Sequence, residues 1–358
     1  LTIDGSSLFT GLFAVNKGSI KNIILTDVSI SSQYAIVGGV VGSNTGRIEN
    51  CHTQSGTISE IGSDFSRGSQ VGGICGRNGG VIQNCTNAST VTGKYRLVGG
   101  ICGYNYLGGD ILNCENTGEI NGTYQLGGIV GISEGIDTEN MSYVRECTNY
   151  GNITQTIGEE SENLADVGGI VGINHYYSVI EGCNNEGTII GEQRDLGGIA
   201  GRIAADASII SCLNTGEVNG SERIGGIVGD TLNTSLTISN VYNQGTITAS
   251  NQYVGGIVGI LYSTLENAYN TGTVSMTSSS NTTFGGVTGH INTDYVTIDI
   301  IQNCYYLNTC SSKAVGNVSA IDTTSSKTSE EMKNLANTLG EGFKTSTEGD
   351  GYPKLSWE

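Results

Sequence analysis

Ten cysteines, three histidines and one G-x-S-x-G pentapeptide are the residues of this 358-residue chain whose types could do nucleophilic or metal chemistry. Ten cysteines would ordinarily read as a disulfide framework. Seven of them (Cys51, Cys85, Cys114, Cys147, Cys183, Cys212 and Cys304) occupy one slot of a repeating pattern, a slot that other copies fill with Ile23, Val241 and Ala268. The slot therefore takes a small apolar group, and side chains in one ladder run parallel instead of facing each other, which is poor disulfide geometry. Cys75 and Cys102 fill a valine slot, and Cys304 with Cys310 is the only plausible bridge. Buried, reduced thiols are expected. No C-x-x-C or H-E-x-x-H occurs, and His52, His175 and His290 fall in three distant copies, so no metal site is expected. Gly131-Ile132-Ser133-Glu134-Gly135 matches a nucleophile elbow, which needs a strand-to-helix turn. Ser133 instead falls in the slot that holds Asn78 and Asn174, which makes the match one of chance.

Carboxylates come next, because polysaccharide-active β-helices gather them on neighbouring coils. The slot two before the cysteine column reads Lys21, Glu49, Gln83, Leu112, Arg145, Glu181, Ile210, Ser239, Glu266 and Gln302, with no acids in adjacent copies. The slot of Glu119 and Glu217 is otherwise Thr or Asn. No catalytic column is expected, and no catalytic residue is assigned. One copy carries insertions at 132–143 and 154–166, with Glu134, Asp137, Glu139, Glu159, Glu160, Glu162 and Asp166. These read as solvated acidic loops whose spacing fits no calcium loop. A polysaccharide-active site, as the alternative reading, would be built there.

Tyrosines supply the candidate binding residues. Tyr242, Tyr269 and Tyr305 share a slot in three consecutive copies and predict an aromatic ladder. Tyr34, Tyr95, Tyr124 and Tyr253, with Arg96, Arg194 and Arg223, lie just before a recurrent Gly-Gly pair. Tyrosine joins a large contact area to a polar tip, so Tyr242, Tyr269, Tyr305, Tyr95, Tyr124 and Tyr253 are the residues proposed to meet a host or environmental glycan or protein. Their plainer role is to stabilise the stack.

What positions all these groups is a repeat. The second Gly of each Gly-Gly pair falls at Gly39, Gly73, Gly100, Gly128, Gly169, Gly198, Gly226, Gly256 and Gly286, with Gly11 as a degenerate first copy. Spacings are 27 to 30 residues, apart from 34 and 41 where insertions occur. A branched aliphatic follows each anchor. A second aliphatic column runs Ile20, Ile48, Ile82, Ile111, Val144, Ile180, Ile209, Ile238, Leu265 and Ile301, three residues before the cysteine slot. Asn usually precedes that slot, an Asn-x-Gly turn follows it, and a third column carries Val91, Ile120, Ile153, Ile189, Val218, Ile247 and Val274. Each copy thus reads as about three short strands separated by Gly and Asn corners, which tolerate positive φ. One such coil cannot bury its apolar face, but stacked coils can, pairing like residues roughly 4.8 Å apart in ladders of Ile, Val and Asn, the Asn amides bonding along the stack. The fold class is all-β: a parallel β-solenoid of about ten coils over 1–310, right-handed by the general rule for parallel connections, with a C-terminal cap over 311–358. Which way the Gly-Gly strand faces is open, and burial on both faces is one solution.

The run Val-Gly-Gly-Ile-Val-Gly-x-Asn, followed by Ile-x-Asn-Cys-x-Asn-x-Gly and most legible in 71–93, 97–122 and 167–191, resembles the GLUG repeat. The resemblance extends roughly from Gly11 to Cys310. It implies a bacterial cell-surface or secreted module, of the kind found upstream of the catalytic domain in immunoglobulin A1 protease-like metallopeptidases, and carries no catalytic residues across. The tail is similar to those that close such arrays: Asn303-Cys304-Tyr305-Tyr306-Leu307, Glu331-Met332-Lys333, then Gly351-Tyr352-Pro353-Lys354-Leu355-Ser356-Trp357. Thr328 and Glu331 predict a capping box and a helix to about Leu339, with Phe343, Tyr352, Leu355 and Trp357 covering the last coil.

Composition agrees. There are 56 Gly, one Pro and 14% charged residues, which does not suit a disordered chain. A net charge of −18 argues against nucleic acid and anionic membrane surfaces as partners, and no apolar run is long enough to span a bilayer. The chain opens at Leu1 inside a strand-like stretch and is read as part of something longer, a monomeric module in a larger surface protein with no cofactor.

Overall fold

The computed structural model of the chain describes residues 1–5, 7–33, 36–62, 68–157, 165–232, 236–277, 283–293, 298–318 and 324–358. Short strands of successive copies pair in parallel and build four sheets, three of ten strands and one of eighteen. In the copy around Gly169 the first sheet receives Asp166–Gly168 and the second Val171–His175. The third receives Ser178–Glu181 and Asn184–Asn185, and the fourth Ile189–Gly191. The parallel β-solenoid expected from the repeat is therefore the fold, but each coil has four sides, not three. The Gly-Gly segment breaks into two strands, because the chain turns sharply at the glycines.

Like residues stack on like, as the columns require. Ile48, Ile82 and Ile111 are in register, as are Val144, Ile180 and Ile209. Ile153, Ile189 and Val218 form the equivalent ladder in the fourth sheet, and all these side chains are fully buried in one continuous core. The first copy is shorter by one residue at the Gly-Gly corner: Thr10 pairs with Val37, whereas Phe13 pairs with Val41.

The Gly-Gly segment is buried on both faces. Val98 of the first sheet points into the core, while a Cβ on its neighbour Gly99 would stand 2.1 Å from the carbonyl oxygen of Cys102 in the second sheet. A Cβ on Gly103 of the second sheet would stand 2.5 Å from the Val71 nitrogen in the first. The two sheets thus meet backbone to backbone, a separation that only glycine permits. The second Gly of each pair has another duty. A Cβ on Gly128 would lie 2.3 Å from Cγ of Asn149, so this column clears room for the asparagines of the Asn-x-Gly turns.

Those asparagines are interior. Asn87, Asn116, Asn149, Asn185, Asn214, Asn243 and Asn270 are fully buried, and the Nδ2 of each of the first six donates to the next Oδ1 at 2.8 Å. A buried amide is tolerated only when it is paired, and here the stack itself supplies the partners. The asparagines before the cysteine slot do something different. Asn22, Asn50, Asn84, Asn113, Asn240, Asn267 and Asn303 all have φ between 50° and 58°, the left-handed conformation that Asn adopts more readily than most residues. Glu146, Gly182 and Ser211 take the same conformation in three consecutive copies.

The tail starts as more solenoid. Gly286 and Val287 donate to Lys313 and Ala314, and Thr324–Lys327 joins the third sheet as its last strand, parallel to Ile301–Leu307. Thr328 then caps α1 (Ser329–Lys333) through the expected capping box. The single helix expected to run to Leu339 is two: α1 ends where the Asn334 N–H bonds back to Glu331 and Met332, and α2 spans Ala336–Leu339. Met332, Leu335, Leu339, Phe343, Tyr352 and Leu355 do not close the end of the last coil as expected. They pack on the outward face of the third sheet against Leu213, Tyr242 and Tyr269, where a row of large apolar groups would otherwise meet water.

Candidate functional site

The slot three before the anchor glycine and the slot four after it come together on the solenoid surface. Gln70, Leu97, Gln125 and Asp166 from the first, with Tyr104, Ile132, Ile173 and Arg202 from the second, line a groove of about 640 Å³. Glu134 and His175 lie at its side, on paired positions of adjacent coils. Because these contributors come from five successive coils, the groove runs along the solenoid axis.

Its acidic end is a buried charge cluster. Asp166, Asp195 and Asp230 are all buried. Arg202 Nη2 lies 2.8 Å from Asp166 Oδ1 and 2.7 Å from Asp195 Oδ2. Arg223 Nη1 lies 2.9 Å from Asp230 Oδ2 and 3.6 Å from Asp195 Oδ1. Gln125 donates to the other Asp166 oxygen at 3.2 Å. Arg194 Nε also lies 3.6 Å from Asp195 Oδ2, and Arg223 Nε 3.6 Å from Glu222 Oε1, so four carboxylates surround three guanidiniums. Burial, aided by the neighbouring Asp195, pushes Asp166 up to about 7 and Asp230 up to about 6, against the pull of Arg202 and Arg223. Glu134 moves the other way. His175 Nδ1, 3.8 Å away, and the Tyr104 hydroxyl, which donates to it, hold its carboxyl below the usual range despite partial burial.

Two acids expected in solvated loops are therefore elsewhere. Asp166 begins a first-sheet strand, and Glu134 ends a second-sheet strand. Asp137 does remain in its loop, where its carboxylate accepts from the Glu139 and Asn140 amides at 2.9 Å. Glu159, Glu160 and Glu162, like Tyr34, lie outside the described residues. Acids on adjacent coils occur in slots other than the one two before the cysteine column and the one just before the third aliphatic column. Three before the anchor, the sequence reads Asp166, Asp195, Arg223, and four after it Arg202, Asp230, so the signal was an alternation of charge across two columns.

The tyrosine ladder exists, but its faces are taken. Tyr242 and Tyr269 stack with centroids 4.9 Å apart and planes within 4°, fully buried beneath the tail. The Tyr242 hydroxyl donates to Glu358 at 2.9 Å and that of Tyr269 to the Pro353 carbonyl. Tyr305 continues the register, half-buried under Lys327. Tyr95 is half-buried beside Lys94, Tyr124 is buried, and Tyr253 meets His290 edge-on.

Ser133 sits where its slot placed it. It is fully buried, with its hydroxyl accepting from Asn105 at 3.2 Å and from Ser178 at 2.8 Å, so no nucleophile is presented. All ten cysteines are buried and free, Cys304 and Cys310 included. Burial pushes the Cys304 thiol up to about 12 and Cys310 up to about 11. Among the described residues, no cluster of three or more His, Cys, Asp or Glu could hold a metal ion. No helix among them is long and apolar enough to cross a membrane.

Fold and groove together define a repeat-built β-solenoid with an axial surface groove. Four copies of the repeat match the family model described as the GLUG motif, at residues 67–92, 95–121, 163–190 and 250–275. No curated protein matches the chain. Among solved structures, it is similar to a candidate immunoglobulin A1 protease from Bacteroides ovatus, at 19% identity and a TM-score of 0.34, over 95% of this chain and 75% of that one.

Proposed function

We propose that this chain is a non-catalytic, ligand-binding repeat module of a bacterial cell-surface or secreted protein, and that an extended polymer, a glycan or a peptide segment, docks in the axial groove. The observation that carries this reading is the groove itself. Polar groups from successive coils line it at the regular spacing of a β-stack, on a rigid frame, beside the apolar side chains of Leu97, Ile132 and Ile173. The GLUG repeats support the bacterial surface setting, and the same rigidity suits presentation of neighbouring domains. The test is a glycan array and a peptide array with the purified chain, repeated with Tyr104→Ala and His175→Ala. Retained ligands whose binding falls in both variants support the groove. Ligands held equally by parent and variants, or none at all, count against it.

A second reading, a polysaccharide-active enzyme built around 132–166, is favoured by one observation. Glu134 and Asp166 line one groove with their carboxyls shifted in opposite directions, as an acid and base pair requires. Release of reducing ends from a polysaccharide by the parent chain, abolished by Glu134→Gln, would install this reading in place of the first.

A further inference from the structure

The tail leaves a second cleft on the opposite kind of surface, the outward face of the third sheet. It measures about 610 Å³ and lies beside Trp357, with Arg145, Glu146, Glu181 and Gly182 in its lining. Three departures from the repeat create it. Along this face the left-handed corners elsewhere carry asparagines that bridge coil to coil, as Asn113 does to Asn84 at 2.8 Å and Asn303 to Asn267 at 3.1 Å. Here the corner residues are Glu146, Gly182 and Ser211, all with φ between 53° and 63°. Glu and Ser suit this conformation less well than the Asn or Gly they replace, so local strain is kept where the surface is opened. At Gly182 a Cβ would meet only Glu146 side-chain and backbone atoms, at 3.7 and 3.8 Å, so the missing side chain is what opens the floor.

Trp357 forms one wall and is held in place. Its indole N–H donates to the Ser211 carbonyl at 2.8 Å, while about half of its surface remains exposed (48%). The next residue, Glu358, is pinned by the Tyr242 hydroxyl and by the Leu355 amide at 2.6 Å. Across the floor, Arg145 pairs with Glu181 at 2.7 Å and lies over the Tyr143 ring at 3.8 Å. The cleft therefore offers a fixed aromatic wall, carboxylate acceptors and one guanidinium donor whose charge is already matched.

We infer that this cleft is a carbohydrate subsite, in which a neutral pyranose stacks its apolar C–H face on Trp357 and bonds its hydroxyls to Glu146, Glu181 and Arg145. A pyranose is the common ligand with one apolar face and a rim of hydroxyls, the pattern that the wall and floor complement. Two carboxylates to one guanidinium, on a chain of net charge −18, exclude anionic sugars by repulsion. This subsite is independent of the axial groove and shares no residue with it.

Trp357 is the only tryptophan in the chain, so its emission reports on this cleft alone. The experiment is a fluorescence titration of the full chain with neutral oligosaccharides of glucose, galactose, mannose and N-acetylglucosamine, with glucuronate and glucosamine oligomers in parallel. A saturable change with at least one neutral sugar is expected. Gly182→Asn, which refills the floor with the side chain the other corners carry, should weaken it roughly tenfold or more at an unchanged melting temperature. Arg145→Met, which leaves the left-handed corners alone, should weaken it as well and serves if Gly182→Asn folds poorly. Saturation by charged sugars only, no change with any neutral sugar, or parent-like affinity in both variants would overturn the assignment.

Discussion

Asn149→Ala should be among the costliest single substitutions in the chain, because this side chain makes four hydrogen bonds in a dry interior. Its Nδ2 donates to the Gly151 carbonyl at 2.9 Å and to Asn185 Oδ1 at 2.8 Å. Its Oδ1 accepts from Asn116 Nδ2 at 2.8 Å and from the Gly151 amide at 3.2 Å. At about 1 kcal/mol net per bond, plus about 1–3 kcal/mol for polar groups of Gly151 and Asn185 left buried without a partner, the loss comes to about 5–7 kcal/mol. Asn84→Ala is the control. That residue joins an exposed ladder through the bond from Asn113, and its loss, including the less favourable left-handed conformation of Ala, should cost about 1 kcal/mol. Asn149→Thr should fall between them, because Thr53 occupies the equivalent slot and its hydroxyl donates to Asn87 at 2.6 Å. Urea titration gives the magnitudes, and hydrogen exchange at Gly151 localises the damage. Equal, small losses for Asn149→Ala and Asn84→Ala would refute an interior ladder.

Ile180→Ala and Ile227→Ala, each at a fully buried ladder position, should each cost about 2–5 kcal/mol in the same titration, since a cavity opens between coils that cannot collapse. Thiol titration should find all ten cysteines after unfolding and almost none before it, with a melting temperature indifferent to reductant; a large drop on reduction would contradict free thiols. Asp166 and Asp230 hold their protons more tightly in the fold than an unfolded carboxyl does. Their contribution is therefore fully present below about pH 4 and lost as the pH rises through about 6 and about 7. The melting temperature should fall between about pH 5 and about pH 8, less steeply in Asp230→Asn, and a rise over that interval would remove the cluster from the account. Glu146→Asn should raise stability by about 0.5–1 kcal/mol, read as a shift in urea midpoint, by placing a residue better suited to the left-handed corner.

Periodicity made the solenoid legible, because a column such as Ile48, Ile82 and Ile111 has only one physical meaning once coils stack. The same columns located Ser133 inside the stack and kept the cysteines apart. Three things were not legible. Asn ladders bonded along the stack follow from the repeat, but which Asn column is interior does not, since nothing in a local pattern distinguishes a turn amide facing water from one facing the core. The Asp166–Asp195–Asp230 cluster draws on two slots separated by a sharp turn, so no single column displays it. The tail was read as an end cap because an open solenoid end and an apolar stripe along the side ask for the same residues. What decides between them is Leu213, Tyr242 and Tyr269 facing outward in register, which in sequence resembles a surface ladder awaiting a ligand.

That lateral docking changes how the protein bears load. From the last third-sheet strand, Thr324–Lys327, the chain doubles back along the solenoid, and Trp357 grips Ser211, three coils inward from Ile301–Leu307. Tension at Glu358 is therefore delivered along the side of the stack, to Tyr269, Tyr242 and Ser211 together. Their contacts must shear as a group before the terminal coil feels a peeling force, whereas a tail seated on the open end would hand the whole load to one ladder of hydrogen bonds. The C-terminal segment works as a strap, and the coils beneath it should resist pulling as a block.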